Sequence, residues 1–395
     1  MDDPNSQARP SSAGPALFTV VLAGASGAGG MLWIASHEPA AVQTFEGLLL
    51  TIAQFLLACF ITVFAHVVIH ELGHLVCGLI SGYRFVTLRV GRHMLVRDHG
   101  TGRLQAKTYP AGHTGIVGQC LMQPPQPREG SFPFMLYNFG GGLANMVAAL
   151  VVGTMLRLMP WSTIPGIIGV AFTVVGLYLA TTNLIPMRFQ GISNDGSNVR
   201  LLDTDENMRR AFWATLQIHA LLARGARLRD VPASLFDIPQ HADKDNAMIC
   251  SWAVIRSEAC LDLHDFESVL RFHDEWYAAT GAVPLLKNRM LCVFMFLQLL
   301  GGIERDTVAH NLDEGVAALL QRTGCALQVP RLMYTRALLI EGDTEKASKW
   351  LSEFDQIARS WPYAGEIATE IDLMSYVKGL FVERLGAKRG EEHKS

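Results

Sequence analysis

From Leu48 to Ile80 the chain reads LLLTIAQFLLACFITVFAHVVIHELGHLVCGLI, and the only acid and the only imidazoles of this apolar run are His66 and the pentad His70-Glu71-Leu72-Gly73-His74. About 20 apolar residues suffice to cross a bilayer. Ionisable side chains inside such a segment are costly to insert, so they mark a functional site. On a helix, His70 and His74 lie four residues apart and share a face, and their imidazoles can bind one Zn²⁺ together. Glu71 lies about 100° round the helix, beside the ion rather than on it, where a general base for a zinc-bound water belongs. His66, one turn before His70 on the same face, has the place of an extra ligand or of a residue supporting one. The pentad pattern also occurs by chance in soluble helices. In a membrane-length helix, however, two His and one Glu within five positions would need several internal partners to be merely structural. The pattern points to a zinc hydrolase with its active site in the membrane.

Composition divides the chain into two regimes. Of 395 residues, 50% are hydrophobic and 17% charged, and the mean hydropathy is +0.23. Soluble domains carry about 25% charged residues, and the deficit is concentrated in the first half. A net charge of −3 argues against a nucleic-acid partner. The seven cysteines form no CxxC pair. This is no disulfide framework, and it fits a reducing setting for the second half.

Along the chain, residues 1–15 are polar and expected to be disordered, and 16–35 form a first membrane-length segment. A cleaved signal peptide is the alternative for it, but Asp2, Asp3 and a single Arg9 make a poor positive leader. The second span begins near Phe45 and carries the pentad towards its end. Spans three and four cover about 134–159 and 164–187. Gly140-Gly141-Gly142 in the third permits close helix approach. Between spans two and three, YRFVTLRVG and GRLQAKTY alternate apolar and polar residues and read as two short strands of a hairpin. Turn signals stand at Asp98-His99-Gly100 and Pro110-Ala111-Gly112, and Val86, Leu88 and Val90 would share one face. From 197 to 395 the pattern is that of a soluble helical domain. Arg331 to Ala347, turning at Gly342-Asp343, is like the helix–turn–helix of a tetratricopeptide repeat, and Ala253 to Ala279 is a fainter echo. Such arrays usually bind peptides or proteins; a plain helical bundle is the simpler alternative. The fold class expected is an all-α polytopic membrane protein of about four transmembrane helices with a small β-hairpin insertion, followed by a soluble α-helical, tetratricopeptide-like domain. Its boundaries are 1–15, 16–196 and 197–395.

The loop after the first span has no Lys or Arg. The 81–131 loop has Arg84, Arg89, Arg92, Arg97, Arg103, Lys107 and Arg128, and Arg188, Arg200, Arg209 and Arg210 follow span four. The positive-inside rule then places both termini and the 81–131 loop in the cytoplasm, for a multi-pass protein of the cell membrane.

Two His leave zinc one protein ligand short of the usual three plus water. Asp195, in Asn194-Asp195-Gly196 just after span four, is the best candidate, although Asn-Asp-Gly is also a strong turn signal. Here the chain resembles the site-2 protease family of intramembrane zinc metalloproteases. The resemblance rests on His70-Glu71-Leu72-Gly73-His74, on Asn183-Leu184-Ile185-Pro186 followed by Asp195-Gly196, and on Gly141-Gly142-Leu143-Ala144-Asn145. It implies that His70, His74 and Asp195 bind zinc, that Glu71 activates water, and that Asn183 helps polarise or position the scissile peptide. The spacing from Pro186 to Asp195 is longer than usual in the family, and Asn194 replaces the usual apolar residue. The resemblance covers about 70–196 and carries nothing over to the C-terminal half.

The partners expected are the lipid bilayer, a membrane-embedded or membrane-tethered protein or peptide substrate, and a regulatory protein or peptide on the C-terminal domain. The substrate helix must unwind to expose a carbonyl, and strands of 81–131 could pair with it by edge addition. Two other readings compete: a catalytically silent scaffold or receptor, against which the intact pentad and Asp195 argue, and a zinc-dependent transporter, for which four spans are few.

Overall fold

In the computed structural model the described residues are 13–97, 102–108, 117–158, 163–189, 192–301, 312, 314–322 and 324–392. They form two compact units, one of residues up to Phe85 together with Gly118–Glu206, the other of Val86–Val117 together with the chain from Asn207. The division falls after Glu206, where the sequence suggested Gly196, and the segment 86–117 belongs with the second unit.

The first unit contains α1 (Ala13–His37), the short α2 (Pro39–Val42), α3 (Phe45–Ile80), α4 (Met135–Leu158), α5 (Thr163–Leu184) and α6 (Asp195–Thr204). Helices α1, α3, α4 and α5 are long and apolar enough to cross a membrane. At 36 residues, α3 is about 54 Å long, well beyond a hydrocarbon core of about 30 Å. Thr44 opens it by accepting the Gly47 N–H at 3.0 Å. Its outer face stays exposed at Leu50, Leu56, Leu57, Phe60 and Phe64. A helix as apolar outside as inside belongs in lipid, and this is the build of a membrane protein. The inner faces meet around Ile34, Phe55, Ala58, Ile167, Val170 and Ala171.

Between α3 and α4 lie β1 (Arg84–Val90), β2 (His93–Arg97), β3 (Leu104–Thr108) and β4 (Gly118–Gln123), in the sheet order β3-β2-β1-β4. The expected hairpin is therefore corrected. The two predicted strands, β1 and β3, do not pair with each other; each pairs antiparallel with β2 between them. Five residues with a polar residue at each end gave β2 no strand signal, and β4 was hidden in an apolar, Pro-flanked stretch. Val86, Leu88 and Val90 share one face of β1, with Val86 buried and the other two half-buried. Thr87 and Arg89 are buried along with Val86, because both faces of the strand are covered. The turn signals at 98–100 and 110–112 lie outside the described residues. So do residues 1–12, while 13–15 already belong to α1.

The second unit is helical apart from β2, β3 and the adjoining part of β1: α7 (Glu206–Ala223), α8 (Ala247–Asp262), α9 (Phe266–Trp276), α10 (Pro284–Leu300), α11 (Glu314–Arg322), α12 (Gln328–Arg336), α13 (Thr344–Ser360) and α14 (Ala364–Glu392). The helix–turn–helix predicted at Arg331 to Ala347 is present, and the fainter Ala253 to Ala279 segment also holds two helices joined by a turn. Helix α12 runs on through Ala337–Glu341 and turns at Gly342, whose φ of 68° favours glycine; Asp343 then caps α13 by accepting the Lys346 N–H at 2.9 Å. Helices α8 and α9 turn at His264. The core gathers Val269, Val293, Phe296, Leu332, Phe354 and Leu373. Within this unit Met94 and Val96 of β2 pack on Trp361 and Tyr363, and Lys107 of β3 donates to the Pro362 carbonyl at 3.3 Å.

Candidate metal centre

The last third of α3 presents His70 and His74 one turn apart, with Nε2 atoms 3.0 Å from each other. Asp195 Oδ2 lies 3.3 Å from His70 Nε2 and 3.5 Å from His74 Nε2. A tetrahedral zinc with bonds of ~2.0–2.2 Å holds its ligand atoms roughly 3.3–3.6 Å apart; the two sides to Asp195 fall in that range and the side between the imidazoles is somewhat shorter. Asp195 Oδ2 is buried and accepts no hydrogen bond. A buried carboxylate oxygen left without a donor is expensive, and an ion between it and the imidazoles would satisfy it. Among the described residues, this is the group of His and acidic side chains that can hold a metal ion.

Asp195 reaches the histidines because of Asn194. The side chain of Asn194 makes four hydrogen bonds. Its Oδ1 accepts the N–H of Ser197 at 2.8 Å, capping α6, and that of Met187 at 3.0 Å. Its Nδ2 donates to the carbonyls of Thr182 at 2.6 Å and Ile185 at 2.7 Å, left open where α5 stops before Pro186. One amide thus ties the end of α5 to the start of α6, and Asp195 is the first residue of α6. A Cβ on Gly196 would collide with the Leu184 carbonyl, so glycine there allows the two helix ends to meet. The long interval from Pro186 to Asp195 is taken up by a two-stranded ribbon, Arg188–Phe189 against Ile192–Ser193. An apolar residue in place of Asn194 would make none of these bonds.

Glu71 is 6% exposed and lies beside the triangle, with the backbone N–H of Cys120 in β4 directed at its carboxylate. Gly118 makes room for it, because a Cβ there would strike Glu71. His74 Nδ1 lies 2.7 Å from the Tyr137 carbonyl. A carbonyl only accepts, so Nδ1 carries the proton and Nε2 keeps its lone pair for a metal. Tyr137 is itself fixed by its hydroxyl donating to the Cys120 carbonyl at 2.7 Å and by stacking on Tyr83.

The glycines of α4 do more than permit packing. Gly140 lies against the α3 backbone at Gly73, Gly141 against the ring of His70, and Gly142 against Leu184. Their smallness is evident in the sequence; the space that Gly141 leaves for the His70 ring is not. His66 is no ligand, since its two nitrogens face Asn145 and the Phe172 carbonyl. Asn183 stands at the end of α5, but its Nδ2 donates to the Leu179 carbonyl at 2.8 Å in its own helix. The structure brings together His70, His74, Asp195 and Glu71, and it leaves the Asn183 amide on its helix.

No family model, no curated protein and no solved structure matches the chain.

Proposed function

We propose that the protein is an intramembrane zinc endopeptidase of site-2 protease type, which hydrolyses a peptide bond in or near the membrane. The observation that carries this reading is the convergence of His70 Nε2, His74 Nε2 and Asp195 Oδ2 beside Glu71. These three atoms would hold the ion, and a bound Zn²⁺ supplies Lewis acidity toward the substrate carbonyl and toward a water. Glu71 takes the proton of the attacking water on its carboxylate and returns it to the leaving amine. The Cys120 N–H keeps that carboxylate aimed while it is ionised. Asn183 has a second amide hydrogen beyond the one given to Leu179, which suits it to hold the carbonyl of an unwound substrate. An unwound segment has unpaired backbone groups, and these are costly in lipid unless a strand edge takes them up.

The helix–turn–helix pairs α8–α9 and α12–α13 support a peptide- or protein-binding role for the second unit, of tetratricopeptide character, acting on access of a tethered substrate. The distribution of Lys and Arg supports cytoplasmic termini. The test is a comparison of membrane peptides in cells carrying the wild type or Glu71→Gln. The substitution should abolish cleavage and leave zinc bound, because Glu71 is outside the ligand triangle. Loss of the metal with the activity would reassign Glu71, and identical peptide profiles would remove the protease reading.

A further inference from the structure

His74 and His70 do not have the same kind of support. His74 gives its Nδ1 proton to a main-chain carbonyl, which can only accept. His70 Nδ1 faces a side chain instead, the amide of Asn145 in α4, at 3.4 Å from Nδ2 as placed. An amide can present either end, and which end it presents is fixed by the surrounding hydrogen bonds. The other end of the Asn145 amide lies 3.1 Å from Nδ1 of His66. The opposite nitrogen of His66, Nε2, lies 2.8 Å from the Phe172 carbonyl of α5.

The order of donors and acceptors follows from the carbonyl. Phe172 O only accepts, so His66 Nε2 carries a proton, and a neutral imidazole holding it there offers Nδ1 as an acceptor. With Asn145 Oδ1 turned to His66, two acceptors would face each other unless His66 became a buried imidazolium, which is costly in this setting. The same orientation would turn an N–H towards His70 Nδ1 and force the His70 proton onto Nε2, the atom that faces His74 and Asp195. The reverse orientation satisfies every group. Asn145 Nδ2 donates to His66 Nδ1, Asn145 Oδ1 accepts the proton of His70 Nδ1, and His70 Nε2 keeps its lone pair towards the triangle.

We infer that His66 is a positioning residue: through the amide of Asn145 it fixes His70 in the tautomer that can bind a metal. The surroundings are built for the two rings. His66 is fully buried, and its ring centroid is 4.1 Å from that of Phe172. A Cβ on Gly176 would collide with the His66 ring, as one on Gly141 would with the His70 ring. The inference rests on the metal-site reading above, with zinc as the probe.

The experiment measures zinc content and zinc affinity by chelator competition on the purified full-length protein in detergent. His66→Leu should weaken zinc 10- to 100-fold, the range found when a group that orients a metal-binding His is removed. Asn145→Asp should restore most of that loss, because a carboxylate accepts from His70 Nδ1 whichever way it is turned. In the Asn145→Asp background, His66→Leu should therefore have little further effect. Equal weakening by His66→Leu in both backgrounds, or none in either, overturns the relay while zinc lost with His70→Ala leaves the metal reading standing. Zinc that is absent from the wild type, or unaffected by His70→Ala, sinks both. Nitrogen-15 NMR of the histidine-labelled wild type in bilayers needs no variant. It should find His66 protonated at Nε2 alone and His70 at Nδ1, and a His66 protonated at Nδ1 overturns the assignment.

Discussion

The candidate centre depends on residues with no chemistry of their own. Gly141 is the clearest case. The His70 ring occupies the space a Cβ would need, so Gly141→Ala must push the ring off the triangle or part α3 from α4. Zinc affinity should fall by about tenfold or more, as when a ligand's support is lost. Gly153→Ala on the same helix meets only the Thr173 side chain, more than three turns along α4 from Gly141, and should leave zinc binding unchanged. Equal affinities for wild type and Gly141→Ala, measured by chelator competition, would show that the slot is not needed. At this scale much of the candidate site could be read from residue types: the pentad holds the two histidines and the glutamate that the structure brings together, and Asp195 was found as the acid that follows the fourth span. The roles of Asn194, Gly141, Asn145 and Tyr137 could not be read. Each acts through a partner on another helix, and sequence spacing gives angles within one helix only.

At the scale of elements, α6 is a short helix whose first residue is Asp195, and its N-cap is also the brace of α5. Losing an N-cap costs about 1 kcal/mol of helix stability. Asn194→Ala should therefore weaken α6 and, because Asp195 moves with it, lower zinc affinity. Asp343→Ala removes a cap of the same kind at the start of α13 and should lower stability without changing zinc binding. Equal zinc affinity in the two variants would separate Asp195 from its cap. The four apolar helices were legible in sequence because a membrane-length run needs no partner to be recognised. The sheet was not, because strand pairing is non-local. Strand β2 is defined by its ladders to β1 and β3, and nothing in His93–Arg97 taken alone demands them.

For the whole molecule, the second unit carries buried titratable groups that couple its stability to pH. Burial raises the carboxyls of Glu366 and Glu370 to about 7, against the pull of nearby Arg289 and Arg331 respectively. Burial also lowers His219 to about 4, with Arg289 adding to the effect. The carboxyls hold their protons more tightly folded than unfolded, so their contribution is full below about pH 4.5 and is lost as pH rises through about 7. His219 contributes above about pH 6.5 and loses that contribution as pH falls towards about 4. The stability of this unit should peak at mildly acid pH. Hydrogen exchange of α14 in the full chain, read across pH, should show it; Glu370→Gln should flatten the alkaline fall, and a profile that keeps rising to pH 8 would contradict the assignment. Orientation is tested separately. A cysteine placed at Glu38, in the stretch without Lys or Arg, should react with a membrane-impermeant reagent in intact cells. One at the exposed Glu345 of α13 should not, and the reverse pattern would invert the topology.

By itself the sequence determined where the apolar helices lie and which side chains in them carry metal-binding groups, since hydropathy and residue type are properties of a segment. It also located the turn between α12 and α13, since a glycine with positive φ and a capping Asp act within a few residues. The tertiary structure decided which nitrogen of each imidazole faces the triangle, how Asp195 is delivered to it, and which strands pair. Those outcomes depend on a carbonyl, an amide or a missing Cβ supplied by a chain segment far away in sequence, and such contacts exist only once the helices have packed.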